Sequence, residues 1–147
     1  MNIIAQTTGV DESSLNVKSE STNKTLVNTT RALLLNSNNN KQLWCFAYQY
    51  TIWISGQTEN ILGGDVLYFL CHGTRPSYEQ IQIWGVRVYI INGCVTRNNI
   101  YDRSHSGYFM GYADTTGVIL YWKLDQPFVI HIAHHVWFDE FNSLIYI

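Results

Sequence analysis

Gly107-Tyr-Phe-Met-Gly-Tyr112, Gly117-Val-Ile-Leu-Tyr-Trp-Lys-Leu124 and Phe128-Val-Ile-His-Ile-Ala-His-His-Val-Trp-Phe138 are the stretches whose reading decides the fold. Each is rich in β-branched and aromatic residues and has a period of two, as strands do. Asp114-Thr-Thr-Gly117 and Asp125-Gln-Pro127 separate them with turn-forming residues at hairpin spacing, so consecutive strands are expected to pair antiparallel. Val86-Arg-Val-Tyr-Ile-Ile91 adds a further strand upstream. Four or five short strands predict a small barrel, because closure removes exposed edges and buries one face of every strand. Along the last run Phe128, Ile130, Ile132, His134, Val136 and Phe138 share one face, and Val129, His131, Ala133, His135, Trp137 and Asp139 take the other.

Before Glu79 the period is helical. Leu43, Phe46, Ala47, Tyr50 and Ile54 recur at i, i+3, i+4, i+7 and i+11, which predicts a helix over 41–55 with the Asn/Ser cluster 36–40 as its turn and cap. A second amphipathic helix is expected over 20–36, carrying Leu26, Thr30, Leu33 and Leu34 on one face, and a turn or two of helix over 65–70. Residues 1–17 are polar and aperiodic and read as a flexible lead-in. The expected organisation is α+β: the lead-in over 1–17, a helical segment over 18–80 and a small antiparallel β-barrel over 81–147.

Composition narrows the function classes. The 147 residues are 46% hydrophobic and 14% charged, enough apolar content for a packed core. Nine basic against eleven acidic side chains leave a net charge of −2, which excludes a strongly basic nucleic-acid binder. No apolar run reaches the roughly 18 residues a membrane span needs, and the first residues lack the basic and apolar regions of a secretory signal, so an intracellular protein without a membrane partner is expected. Cys45, Cys71 and Cys94 are odd in number and unpatterned, against a disulfide framework or zinc ribbon.

Candidate chemistry is sparse. His131, His134, His135, Asp139 and Glu140 crowd the last strand, but alternation turns His134 away from His131 and His135, so no metal site is expected. Cys71-His72 are adjacent, and neighbouring side chains rarely meet as nucleophile and base. The glycines form neither GxGxxG nor a P-loop. Arg87, Arg97, Arg103 and Lys123 interleave with aromatics, a pattern that binds nucleic acid through phosphate contacts, with Tyr108 or Trp122 as stacking candidates. Residues 81–147 hold those four basic groups against five acidic ones, so any DNA affinity is expected to be weak and salt-sensitive.

Five stretches follow one another in a telling order: Asn16-Val-Lys-Ser-Glu20-Ser-Thr-Asn23-Lys-Thr25-Leu26 with Thr30-Arg-Ala-Leu-Leu34; Leu43-Trp44; Trp84-Gly-Val-Arg-Val-Tyr89; Arg103-Ser-His-Ser-Gly107-Tyr-Phe-Met-Gly111-Tyr112 with Val118 to Trp122; and His134-His-Val-Trp-Phe-Asp-Glu140. That order resembles the integrase region of copia-type LTR retrotransposon Pol polyproteins, the first stretch being similar to the end of that family's catalytic core, the second to the helix that follows it, and the rest to its successive later elements. The resemblance covers about residues 15–141. Val17 and Ser21 depart from the family's usual Gly and Arg.

That resemblance implies an SH3-like barrel for the C-terminal half and places Glu20 where the third carboxylate of a DDE triad stands. Two divalent metals held by converging carboxylates perform that chemistry, so Mg²⁺ is implied only for a complete integrase. The two partner aspartates would lie upstream of this stretch. The chain is therefore expected to be a truncated, non-catalytic integrase fragment without a cofactor of its own. Its implied role is DNA binding and integrase assembly, in the nucleus when acting with an integrase. The alternative is a protein-interaction or homodimerisation module, with the aromatic surface of the second helix, Tyr48 and Trp53, as its contact.

Overall fold

The computed structural model describes residues 13–37, 41–58, 66–91, 104–113 and 117–143. Helix α1 spans Ser13–Asn36. It begins ahead of the expected start and takes in Ser13 to Val17 of the expected lead-in. No Gly or Pro interrupts that stretch, so the helical run continues backwards without a breaker. A short 3-10 turn, Lys41–Leu43, leads into α2, Trp44–Gln57. The cap position is Leu43, with no side-chain cap bond, so the expected Asn/Ser cap is not the device that starts this helix; residues 38–40 lie outside the described ones. Helix α3, Leu67–His72, ends at Gly73, whose φ of 70° lets its N–H reach Phe69 O at 2.8 Å.

The helices meet on hydroxyls. Thr51 Oγ1 donates to Ala47 O at 2.9 Å, and the Thr30 hydroxyl lies 2.8 Å from Leu26 O and 3.1 Å from Thr51 Oγ1. Both threonines are buried between α1 and α2, their polar atoms satisfied locally.

After a second 3-10 turn, Tyr78–Gln80, come β1 (Val86–Ile91), β2 (Ser104–Tyr112), β3 (Ile119–Lys123), β4 (Gln126–Ala133) and β5 (Val136–Ser143). All pairings are antiparallel and the order is β4-β3-β2-β1-β5. Among the described residues no ladder joins β4 to β5, so the closed barrel expected from the sequence is replaced by an unclosed five-stranded sheet.

The run 128–138, read as one strand, is two. His134 and His135 are all that separate β4 from β5. Because β4 opposes β3, β5 opposes β1, and β1 and β3 run alike, β4 and β5 run in the same sense. It is one bent run whose first half pairs with β3 and whose second half pairs with β1. Three residue steps from Ala133 to Val136 reach at most about 11 Å, whereas five flat strands set their outer members about 19 Å apart. The sheet is therefore strongly curled.

Leu43 at the cap of α2 and Ala47 and Tyr50 within it share one core with Trp84, Val86, Val88, Ile90, Phe109 and Tyr121, so the helical and β segments pack together. The Tyr50 hydroxyl donates to Gln82 O at 2.5 Å and accepts from Gln82 N–H at 3.1 Å. Burial pushes its pKa well above the ordinary tyrosine value; the Gln82 backbone bond opposes the shift and nearby Tyr112 adds to it. On β2 the register shifts between Phe109 and Gly111, making Met110 the extra residue of a bulge; Gly111 takes a φ of 135° there, beside the Tyr50 ring.

Candidate nucleic-acid interface

β1 places Arg87 between Tyr108 of β2 and Asp139 of β5 in register. Its Cζ lies 5.8 Å from the Tyr89 ring centroid, a cation–π distance. The Tyr89 hydroxyl donates to Asp139 Oδ2 at 3.4 Å, so an aromatic face and a carboxylate both border the guanidinium. The side chain is half-buried, and Asp139 opposite it offsets part of the positive potential Arg87 offers a phosphate.

Lys123 ends β3 and lies on the other face. Its Nζ is 5.9 Å from the Tyr121 ring centroid, and Tyr121 in turn stacks on His131 at 5.2 Å and 25°. His131 Nε2 donates to Gln126 Oε1 at 2.8 Å. Burial raises the pKa of the Tyr121 hydroxyl. Strand alternation groups Arg87 with Tyr108 and Trp122, and Lys123 with Tyr121, so these two cations do not form one patch. Arg97 and Arg103 lie outside the described residues.

Tyr108 and Trp122 do not offer faces for stacking. They are 6% and 5% exposed, pair across β2 and β3, and set their ring centroids 6.1 Å apart. The Trp122 indole N–H donates to Pro127 O at 3.1 Å, which ties β3 to the start of β4. The reading from alternation assumed that each strand hides one face only. β2 and β3 are central, and both of their faces are buried, which is why Tyr108-Phe-Met110 and Ile119-Leu-Tyr-Trp122 are nearly continuous apolar runs.

The exposed rings lie elsewhere. Phe128 on β4 is 87% exposed, Trp137 on β5 71% and Trp44 on α2 59%. Phe128 and Trp137 were legible as aromatic positions, but their exposure follows from the edge places of β4 and β5, which no local pattern encodes. On α2, Tyr48 and Trp53 are half-buried rather than free: Trp53 stacks on Tyr50 at 5.6 Å and meets Tyr112 at 5.0 Å.

Glu20 is exposed on α1, with Lys24 one turn further along the same face. Among the described residues no three His, Cys, Asp or Glu side chains gather to hold a metal ion. Glu20 is one carboxylate of the several that a two-metal site needs, and among the described residues no such group gathers around it. Cys45 and Cys71 are exposed thiols, and Cys94 lies outside the described residues. Among the described residues no helix is long and apolar enough to cross a membrane.

The chain is similar to the retrovirus-related Pol polyprotein from transposon RE1 of Arabidopsis thaliana, with 25% identity over 123 residues. The match takes in 83% of this chain and 8% of that protein, so the chain spans less than a tenth of the relative's length. The likeness is to a retrotransposon Pol region. No family model matches, and no solved structure matches.

Proposed function

We propose that this chain is a copia-type integrase segment, the end of a catalytic core followed by an SH3-like domain, which contacts DNA and supports integrase assembly without catalytic activity of its own. The observation that carries the reading is the Pol likeness, which over 83% of the chain takes in both the helices and the sheet. The strand order β4-β3-β2-β1-β5, with a bent run bridging the two ends of a curled sheet, supports the SH3-like assignment. Among the described residues no cluster of metal-ligating side chains gathers around Glu20, which supports a non-catalytic role, since one carboxylate cannot hold two metals. Acting with a complete integrase, the chain would work in the nucleus.

Fluorescence anisotropy with a short DNA duplex across a salt series tests this. If each cation that meets the duplex neutralises one phosphate, log affinity falls against log salt with a slope of about −0.9 per contact, down to about −3.6 for Arg87, Arg97, Arg103 and Lys123 together. Arg87 and Lys123 lie on opposite faces, so Arg87→Ala and Lys123→Ala are measured separately, and the one that meets the duplex should reduce the slope by about 0.9. A slope unchanged in both variants removes both from the interface, and no binding at low salt removes the DNA role. Mixing the chain with a separately supplied catalytic core and Mg²⁺ tests assembly; Glu20→Gln should abolish any activity gained, and equal activity of the variant would remove Glu20 from the chemistry.

A protein-interaction reading has its own support in exposed Trp44 on α2 and Leu67, Phe69 and Leu70 on α3. Light scattering over a concentration series separates the two. A mass that doubles with concentration and falls back in Trp44→Ser favours association through α2.

A further inference from the structure

The curled sheet leaves a strand edge beside a prepared wall. Among the described residues β5 has a single strand neighbour, β1, and against it lies a cleft of about 580 Å³, within the range of ligand-binding clefts. Val136, Trp137 and Phe138 all line it. Successive side chains of a strand point to opposite faces, so a lining by three consecutive residues is the pattern of a strand that meets the cleft along its edge.

The facing wall is Glu79, Gln80 and Gln82, and Tyr112 and Ile119 add apolar surface. Hydrogen bonds hold that wall in place: the Tyr112 hydroxyl donates to Gln80 O at 2.6 Å, and the Tyr50 hydroxyl bonds both the N–H and the C=O of Gln82. A wall fixed beforehand lowers the ordering cost of binding. The lining holds two imidazoles, His134 and His135, and one carboxylate, Glu79, which is its one Asp, Glu, Lys or Arg and sets a local negative charge. That charge repels phosphate and attracts a cation.

We propose that this cleft takes an extended peptide of alternating basic and apolar residues, added as a strand along the open edge of β5. The peptide main chain bonds the β5 backbone, its apolar side chains enter toward Tyr112, Ile119 and Phe138, and a Lys or Arg meets Glu79. The site is separate from Arg87 and Lys123 and does not depend on DNA binding.

Fluorescence polarisation with three labelled hexapeptides tests the proposal: alternating Lys and Val, alternating Glu and Val, and the Lys/Val peptide N-methylated at alternate residues. The Lys/Val peptide should bind. The Glu/Val peptide should bind more weakly, and N-methylation should abolish binding because it removes the donors of the ladder. Glu79→Gln, an exposed and foldable change, should weaken the Lys/Val peptide about two- to fivefold, the range of a partly exposed ion pair, and leave the Glu/Val peptide no weaker. Failure of the Lys/Val peptide to bind, equal binding of the N-methylated form, or full displacement by a DNA duplex would each overturn it.

Discussion

Gly107→Ala is the sharpest test of the sheet packing. A Cβ at Gly107 would meet Tyr121 Cδ2 at 2.5 Å and Trp122 O at 2.9 Å. Neither neighbour has room to yield. Trp122 O belongs to the backbone of β3, which is paired on both sides, and the Tyr121 ring is 6% exposed and held against His131 by stacking. The ring occupies the space a Gly107 side chain would need, so the substitution forces a shift of strand or ring. Overpacking of this kind costs about 1–3 kcal/mol. Restricting the unfolded chain returns about 0.4–1 kcal/mol, so a net loss of about 1–2 kcal/mol is expected. For a chain of this size that lowers Tm by roughly 3–8 °C. Thermal unfolding followed by near-UV circular dichroism measures it, and trimming the ring in Gly107→Ala/Tyr121→Ala should recover part of the overpacking loss relative to Tyr121→Ala alone. A Gly107→Ala protein as stable as the parent would refute the placement of the Tyr121 ring over Gly107.

Two further outcomes follow from the same packing. Gly56 lies in α2 with open space where a Cβ would stand, so Gly56→Ala should raise stability by about 0.5–1 kcal/mol, seen as a higher urea midpoint with an unchanged m value. Burial holds the Tyr50, Tyr112 and Tyr121 hydroxyls protonated above the ordinary tyrosine range; the unfolded chain, ionising near pH 10, then binds fewer protons than the folded one, so stability is full below that pH and falls as pH rises through it. Urea midpoints between pH 8 and 11 should show this fall, and Tyr50→Phe should flatten it while lowering stability at pH 8 by about 1–3 kcal/mol, because both bonds to Gln82 are lost. An unchanged alkaline slope in Tyr50→Phe would remove Tyr50 as its source.

The candidate interface was only partly legible. Arg87 and Lys123 were readable as cations among aromatics, yet their separation onto opposite faces depends on register, which a charge count does not carry. Tyr108 and Trp122 were aromatic positions of ambiguous meaning, since a stacking platform and a core residue look alike until the neighbouring elements are known. Glu20 was singled out through the family pattern alone, and α1, which begins at Ser13, sets it two turns into the helix with Lys24 beside it.

Local periodicity by itself determined that the stretch 41–55 would bury Leu43, Ala47 and Tyr50, that strands would occupy the second half, and that β2 and β3 would pair antiparallel, because each depends on contacts a few residues or one short turn apart. Only the tertiary structure decided that 128–138 bends at His134-His135, that β2 and β3 are buried on both faces, and that β5 keeps an open edge. Those features arise where chain segments far apart in sequence compete for the same apolar surface. The two-residue link between β4 and β5 forces the sheet to curl, and the α2 face that packs across β2 covers what a strand pattern alone would leave to solvent.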